Sequence, residues 1–71
     1  MTIETKLNDF ILTKYNSIRD FAIRNDIPYT TIKSILSRGV GNSSVNNVIK
    51  ICKALNISVD ALSEGEIRQK P

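Results

Sequence analysis

The chain has 71 residues, of which 41% are hydrophobic and 24% are charged, and this composition predicts one folded domain rather than a disordered segment. A single cysteine and no histidine exclude an intramolecular disulfide and leave a zinc ion at most one soft ligand. No apolar run is long enough to span a bilayer and no signal-peptide pattern opens the chain, so we expect a cytoplasmic protein without a membrane partner.

Apolar residues at helical spacing predict helices from the start of the chain. The first stripe is spaced i, i+3, i+4, i+8 and consists of Leu7, Phe10, Ile11 and Tyr15. It predicts helix 1 over residues 4–14, with Thr2 as the candidate N-cap. The S-x-x-D pattern of Ser17–Asp20 is that of a capping box and marks the start of helix 2. Asn25 and Asp26 end helix 2, because both residue types tolerate the left-handed conformation of a tight turn.

Pro28 predicts the first turn of a third helix, since its missing amide would have no intrahelical partner there. We place helix 3 at residues 28–37. Its apolar edge is narrow and consists of Ile32, Ile35 and Leu36. The opposite side is polar or aromatic, so one face of the helix is expected to pack inward and the other to remain exposed.

Helix 4 begins with Ser43 or Ser44 as N-cap. It has the most regular apolar stripe in the chain, made of Val45, Val48, Ile49, Cys52 and Leu55. Ser58 then caps a short helix 5 over residues 59–64, in which Leu62 points inward, and Gly65 ends it.

The passage from helix 2 to helix 3 carries the most specific signal. Two short helices joined by a few residues cross at a steep angle, which requires a small residue where they approach and an apolar plug in the turn. Ala22 meets the first requirement and Ile27 the second. The apolar anchors of this arrangement are Phe21, Ala22, Ile27, Ile32 and Ile35. The second helix would then offer its outer face to a partner.

Two stretches, 17–32 and 47–62, resemble the lambda-repressor-like, Xre/Cro-type helix-turn-helix domains, and the resemblance covers about residues 4–65. The chain departs from the family's pattern at Asp26, which stands where a turn glycine is usual, and at Cys52, which stands where helix 4 has a small residue. The resemblance implies a compact all-α fold of five helices, with the helix-turn-helix at helices 2 and 3. It also implies that helix 3 enters the major groove of double-stranded DNA.

The resemblance further implies roles for individual residues. The positions that read base edges are Tyr29, Thr30, Lys33 and Ser34. The positions that hold phosphates are Ser17, Arg19, Arg38, Asn42, Ser43, Ser44 and Asn46. Helix N-termini offer free amides to phosphate, and short polar side chains there add hydrogen bonds that fix the register on DNA. Two of the base-contacting residues have plainer alternatives: Tyr29 as a cover for the core edge and Lys33 as a solvated surface lysine.

Charge is concentrated in the middle of the chain. Residues 14–53 contain seven of the ten basic residues and two of the seven acidic ones. A phosphate-facing surface has this distribution, although a solvated surface with a chance excess of lysine would look the same. Helix 3 has no Arg, Asn or Gln between Pro28 and Ser37, so bidentate base contacts are scarce. We therefore expect specificity to depend on thymine methyl groups, Lys33 and DNA shape.

These features favour a nucleoid-associated, sequence-specific transcription regulator, most consistent with a repressor that binds an operator. Such domains commonly bind palindromic sites as homodimers, for which Leu12, Ile23 or Ile67 could supply an apolar contact. Alternatively, the chain is part of a longer protein with a C-terminal domain. In either case we expect residues 1–65 to form the helix-turn-helix DNA-binding domain and residues 66–71 a flexible tail or the start of a linker.

A second class of function remains open, namely a helix-turn-helix module whose main partner is another protein, such as an antirepressor or a toxin. An enzyme is not expected, because the chain has no histidine, no phosphate-binding glycine loop and only scattered carboxylates. No catalytic residue, metal or cofactor is predicted, and Cys52 is predicted to be a core residue.

Overall fold

The computed structural model describes residues 2–70, and in this range the chain forms five α-helices, as the sequence predicts. The helices are α1 (Ile3–Lys14), α2 (Ile18–Arg24), α3 (Tyr29–Arg38), α4 (Val45–Leu55) and α5 (Val59–Ser63), and a 3₁₀ turn, Val40–Asn42, lies between α3 and α4. Met1, where the predicted domain 1–65 begins, and Pro71, where the predicted tail 66–71 ends, lie outside the described residues. None of the five helices has the length and apolar character needed to cross a membrane.

Three helices begin at the side-chain caps that the sequence predicts. The hydroxyl of Thr2 accepts from the amide of Thr5, and those of Ser17 and Ser58 accept from residues three positions further on, Asp20 and Ala61, at 2.9 and 3.2 Å. Each cap satisfies an amide that has no partner inside its helix. The carboxylate of Asp20 accepts from the amide of Asn16 at 3.2 Å, which is one residue before the amide that a standard capping box would engage.

The third helix lies one residue later at each end than the predicted range 28–37. Pro28 has φ −57° and ψ 131°, so its φ suits a helix while its ψ is extended. It therefore precedes the helix as the N-cap, and its carbonyl accepts from the amides of Thr31 and Ile32 at 3.0 and 3.4 Å. At the other end the helix extends through Arg38 and stops at Gly39, whose φ of 104° favours glycine.

The core lies between α1, α2, α3 and α4, with α3 packed against the other three helices. Its buried members include all five predicted anchors of the α2–α3 passage, which are Phe21, Ala22, Ile27, Ile32 and Ile35. Cys52 and Leu62 are buried as well, as predicted.

The predicted stripe of α4 is wrong at its margins. Val45 is 70% exposed and Ile49 is only half-buried, whereas Ile51 is 1% exposed. The buried stripe is thus Val48, Ile51, Cys52 and Leu55, which repeats as i, i+3, i+4, i+7. Val45 is the first residue of α4, directly after the loop 39–44, and at this position its side chain does not reach the core.

Two turns of the chain have the same backbone geometry. Asp26 before α3 and Asn56 before α5 have φ values of 55° and 56°. The next residue in each turn is a buried isoleucine, whose amide donates at 2.9 Å to the carbonyl five residues earlier: Ile27 to Ala22 and Ile57 to Cys52. Such bonds satisfy carbonyls that a helix end leaves without partners.

Residues 66–70 are paired with the α4–α5 turn, although the sequence predicts a flexible tail or the start of a linker over residues 66–71. We call residues 66–70 the C-terminal segment. Ile57 and Gln69 form an isolated antiparallel bridge, flanked by a 2.8 Å bond from the amide of Ser58 to the carbonyl of Arg68 and a 2.9 Å bond from the amide of Lys70 to the carbonyl of Asn56. Ile67 packs half-buried against the core, which explains how a segment of mostly polar residues is held there.

Candidate nucleic-acid interface

The outer face of α3 presents the four residues predicted to read base edges. Thr30, Lys33 and Ser34 are exposed and Tyr29 is half-buried. The orientation follows from the helix period, because Ile32 and Ile35 are buried on the opposite side and fix the rotation of the helix. The structure thus brings the predicted base-contact residues onto a single accessible surface.

A groove of about 240 Å³ runs from this face to the loop before α4. We call it the α3–loop groove. Its lining residues from α3 and from the segment after it are Thr30, Thr31, Ser34, Ile35, Arg38, Asn42, Ser43, Ser44 and Asn47. The groove therefore joins predicted base-contact and phosphate-contact residues in one place. Thr31 and Asn47 also line the groove and were not predicted. Their spacing could have indicated them, because Thr31 lies three residues before Ser34 and Asn47 three after Ser44, as neighbours on one helix face do.

The loop that closes the groove is shaped by its own hydrogen bonds. The amide of Asn42 and the hydroxyl of Ser43 both donate to the carbonyl of Gly39, at 3.2 and 2.8 Å, and Nδ2 of Asn42 donates to the carbonyl of Arg38 at 3.0 Å. A hydroxyl has one proton to donate, so that of Ser43 is already used within the loop. Ser44 is exposed and makes no side-chain bond to cap α4.

Two helices begin without a side-chain cap, and both begin beside the candidate residues. These are α3 after Pro28 and α4 after Ser44, whereas α1, α2 and α5 are capped. The first amides of an uncapped helix need an outside acceptor and lie at the positive end of the helix dipole. The starts of α3 and α4 are therefore suited to an anionic ligand.

Arg19 and Tyr29 connect the start of α2 with the start of α3. The guanidinium of Arg19 lies over the ring of Tyr29, 4.9 Å from its centroid. This stacking orients a cation beside the first residue of α3. The hydroxyl of Ser17 accepts from Asp20 and still has its proton to donate outward.

Three cations on or next to α3 are accessible. Arg19, Lys33 and Arg38 are exposed, and none of them belongs to the ion pairs described for residues 2–70, which are Arg24–Asp20 and Arg68–Glu66. Arg24, in contrast, donates to Asp20 at 3.0 Å. That bond, with help from the amide of Asn16, holds the pKa of the Asp20 carboxyl below its ordinary value.

The remaining candidate residues lie apart from the groove. Asn46 is exposed in the first turn of α4 and does not line it. Of the residues predicted for a dimer contact, Leu12 and Ile23 are exposed, the latter at 73%, while Ile67 packs against the core. Burial raises the pKa of the Cys52 thiol, so this cysteine stays protonated at neutral pH.

The surface assembled here combines hydroxyl and amide groups, three exposed cations and two uncapped helix starts. These groups donate hydrogen bonds and carry positive charge, so they suit a long anionic ligand rather than an apolar one.

Comparison of the chain with protein-family models, curated proteins and solved structures found no match in any of the three.

Proposed function

We propose that this chain binds double-stranded DNA sequence-specifically and regulates transcription, most consistently as a repressor. The observation that carries the proposal is the α3–loop groove, in which Thr30, Ser34 and Arg38 of one helix meet Asn42 and Ser44 of the following loop. Hydroxyl, amide and guanidinium groups on one helix face and the adjoining loop are what a base-reading helix and its phosphate contacts require.

In this proposal α3 lies in the major groove, which is wide enough to admit an α-helix. Tyr29 and Thr30 lie at its start and Lys33 and Ser34 one turn later, so all four face the base edges. Lys33 contacts guanine O6 or N7, and the methyl group of Thr30 contacts thymine methyl groups. Arg19, Arg38 and the uncapped starts of α3 and α4 hold phosphates on either side.

The fold supports a place among the lambda-repressor-like domains that the sequence resembles. Asp26 then takes the turn position where glycine is usual, at a φ of 55° that an aspartate tolerates. We further propose binding as a homodimer, with Ile23 and Leu12 as the exposed apolar residues for a contact between copies.

The experiment that tests DNA binding is selection from a pool of random duplexes, followed by a salt titration on the selected site. With roughly four to six phosphate contacts, log K should fall against log salt with a slope of about −4 to −5. A footprint of two half-sites indicates a dimer and one half-site a monomer. Failure to enrich any duplex would contradict the proposal and favour a protein partner, such as an antirepressor or a toxin, for the same surface.

Specificity is tested separately from affinity. Thr30→Ala and Lys33→Ala should each change the selected sequence at the base they contact, with a discrimination loss of about 1–3 kcal/mol for that position. If both variants only weaken binding and select the same sequence as the parent, α3 does not read bases through these residues.

A further inference from the structure

One carboxylate reaches the loop of the α3–loop groove from a distant part of the chain. Glu4, in the first turn of α1, accepts through Oε2 a hydrogen bond from the amide of Val40 at 3.1 Å. Val40 begins the 3₁₀ turn and lies 36 positions further along the chain, and the bond is partly buried. We propose that Glu4 is a positioning residue that holds the loop so that Asn42 and Ser44 face DNA phosphates, a role that rests on the proposed function.

The loop has few other ties to the rest of the molecule. Its other hydrogen bonds join Asn42 and Ser43 to Gly39, Val40 and Arg38, all within the loop or at the end of α3. These bonds fix the shape of the loop, but they do not fix its position relative to α1. In the part of the chain that the structure describes, the bond from Val40 to Glu4 ties the loop to α1, and the half-buried side chain of Val40 packs against the core.

Glycine at position 39 permits the backbone conformation that the connection needs. Gly39 has φ 104° and ψ 146°, which turns the chain out of α3 and brings the next amide toward Glu4. A Cβ at this position would make only ordinary contact, 3.8 Å from Oε2 of Glu4, but the positive φ would strain the backbone of any other residue. Glu4 and Arg38 both line a second groove, beside the start of α1, yet the described ion pairs do not join them. The carboxylate of Glu4 accepts from a backbone amide, and the guanidinium of Arg38 is left to bind a phosphate.

The charge of Glu4 and its hydrogen bond have opposite effects on DNA binding. A negative charge beside a phosphate-binding surface opposes association, whereas an ordered loop favours it because less conformational freedom is lost on binding. Two variants separate these effects. Glu4→Gln removes the charge and retains a carbonyl acceptor, while Glu4→Ala removes both. Asp9→Ala is the matched control, since Asp9 is an exposed carboxylate of the same helix with no described hydrogen bond.

The experiment measures Kd for the selected duplex and the hydrogen exchange of the Val40 amide in the DNA-free protein, at a temperature where each variant is shown to be folded. We expect Glu4→Ala to bind about threefold to tenfold more weakly than Glu4→Gln, which is the size of one net hydrogen bond. Glu4→Gln and Asp9→Ala should bind at least as tightly as the parent. Exchange of the Val40 amide should accelerate in Glu4→Ala but not in Asp9→Ala.

Equal affinities for Glu4→Ala and Glu4→Gln would overturn the positioning role, and so would unchanged exchange at Val40 in Glu4→Ala. The exchange measurement needs no DNA, so it distinguishes the two proposals. A parent chain that binds no duplex overturns the proposed function, whereas the Val40 amide still reports whether Glu4 holds the loop.

Discussion

The α2–α3 turn and the α4–α5 turn share a backbone geometry and differ in what covers them. Both contain a left-handed residue, Asp26 or Asn56, followed by a buried isoleucine that hydrogen-bonds back into the preceding helix. Beyond the second turn, Ser58 caps α5 and the C-terminal segment pairs with the backbone on both sides of Ile57. Beyond the first turn, α3 starts without a side-chain cap and its outer face is exposed.

This difference shows that the local backbone of a turn does not determine whether the helix after it is covered or exposed. The same turn supports a covered junction in one half of the molecule and an accessible polar face in the other. What distinguishes them is whether later residues satisfy the backbone and cover the helix. We therefore expect changes around the α4–α5 turn to alter stability, and changes on the outer face of α3 to alter binding.

The largest expected effect comes from the isoleucines that plug the two turns. Ile57→Ala should lower the free energy of unfolding by about 3–4 kcal/mol and Ile27→Ala by about 2–3 kcal/mol, since both leave cavities. The order follows from burial, because Ile57 is 0% exposed and Ile27 is 8% exposed. Urea titration of both variants checks it. A larger loss for Ile27→Ala would mean that the α2–α3 turn contributes more to the stability of the core than the α4–α5 turn does.

Removal of the C-terminal segment should have the next largest effect. A chain that stops after Gly65 loses three backbone hydrogen bonds and the packing of Ile67, so its free energy of unfolding should fall by about 2 kcal/mol. A chain that stops after Gln69 keeps the bond between Ser58 and Arg68 and should lose about half as much. Unchanged stability after the longer truncation would show that the pairing does not contribute to the fold.

The two left-handed residues test whether the turns are equivalent. Asp26→Ala and Asn56→Ala should each lower the free energy of unfolding by about 1 kcal/mol, while glycine at either position should leave it unchanged or slightly higher. The nearly identical φ values predict similar alanine-to-glycine differences at the two positions. A difference at only one turn, measured by thermal unfolding, would show that the other turn rearranges around its substitution.

The smallest expected effect is the loss of stability at low pH that follows from the lowered pKa of Asp20. The pKa of Asp20 lies below its ordinary value of 3.8 because Arg24 and the amide of Asn16 favour the ionised form. A lowered pKa contributes stability above the unfolded value, and this stability is lost as the pH falls through the folded value. NMR titration should therefore place Asp20 below 3.8, and Arg24→Gln should move it upward. No movement in Arg24→Gln would assign the shift to the backbone amide.

The helices were largely predictable from the sequence because their signals are local. Thr2, Ser17 and Ser58 cap helices as their residue types and spacing predict. Helical periodicity accounts for the burial of Ile32 and Ile35 and for the exposure of Thr30, Lys33 and Ser34 on the opposite side of α3. The burial of Ala22 and Ile27 follows from the steep crossing of the two helices and the short turn between them.

The errors and omissions have physical causes as well. Periodicity could not choose between Ile49 and Ile51 as members of the α4 stripe, because apolar residues flank the stripe on both sides. The pairing of the C-terminal segment and the bond from Val40 to Glu4 join residues far apart in sequence. Such contacts depend on how the helices pack, so no local pattern indicates them.

The most direct test of DNA binding by the outer face of α3 compares two double variants, each of which lacks two positive charges in a different part of the molecule. Lys33→Gln with Arg38→Gln changes the face of α3, and Arg68→Gln with Lys70→Gln changes the C-terminal segment, so both double variants have the same net charge. Kd for the selected duplex is measured against salt concentration for each. We expect a loss of at least tenfold for the α3 pair and a salt slope shallower by about 1, since Arg38 contacts a phosphate whereas Lys33 contacts a base, with little change for the other pair. Equal losses for the two pairs would show that net charge, and not the face of α3, binds the DNA.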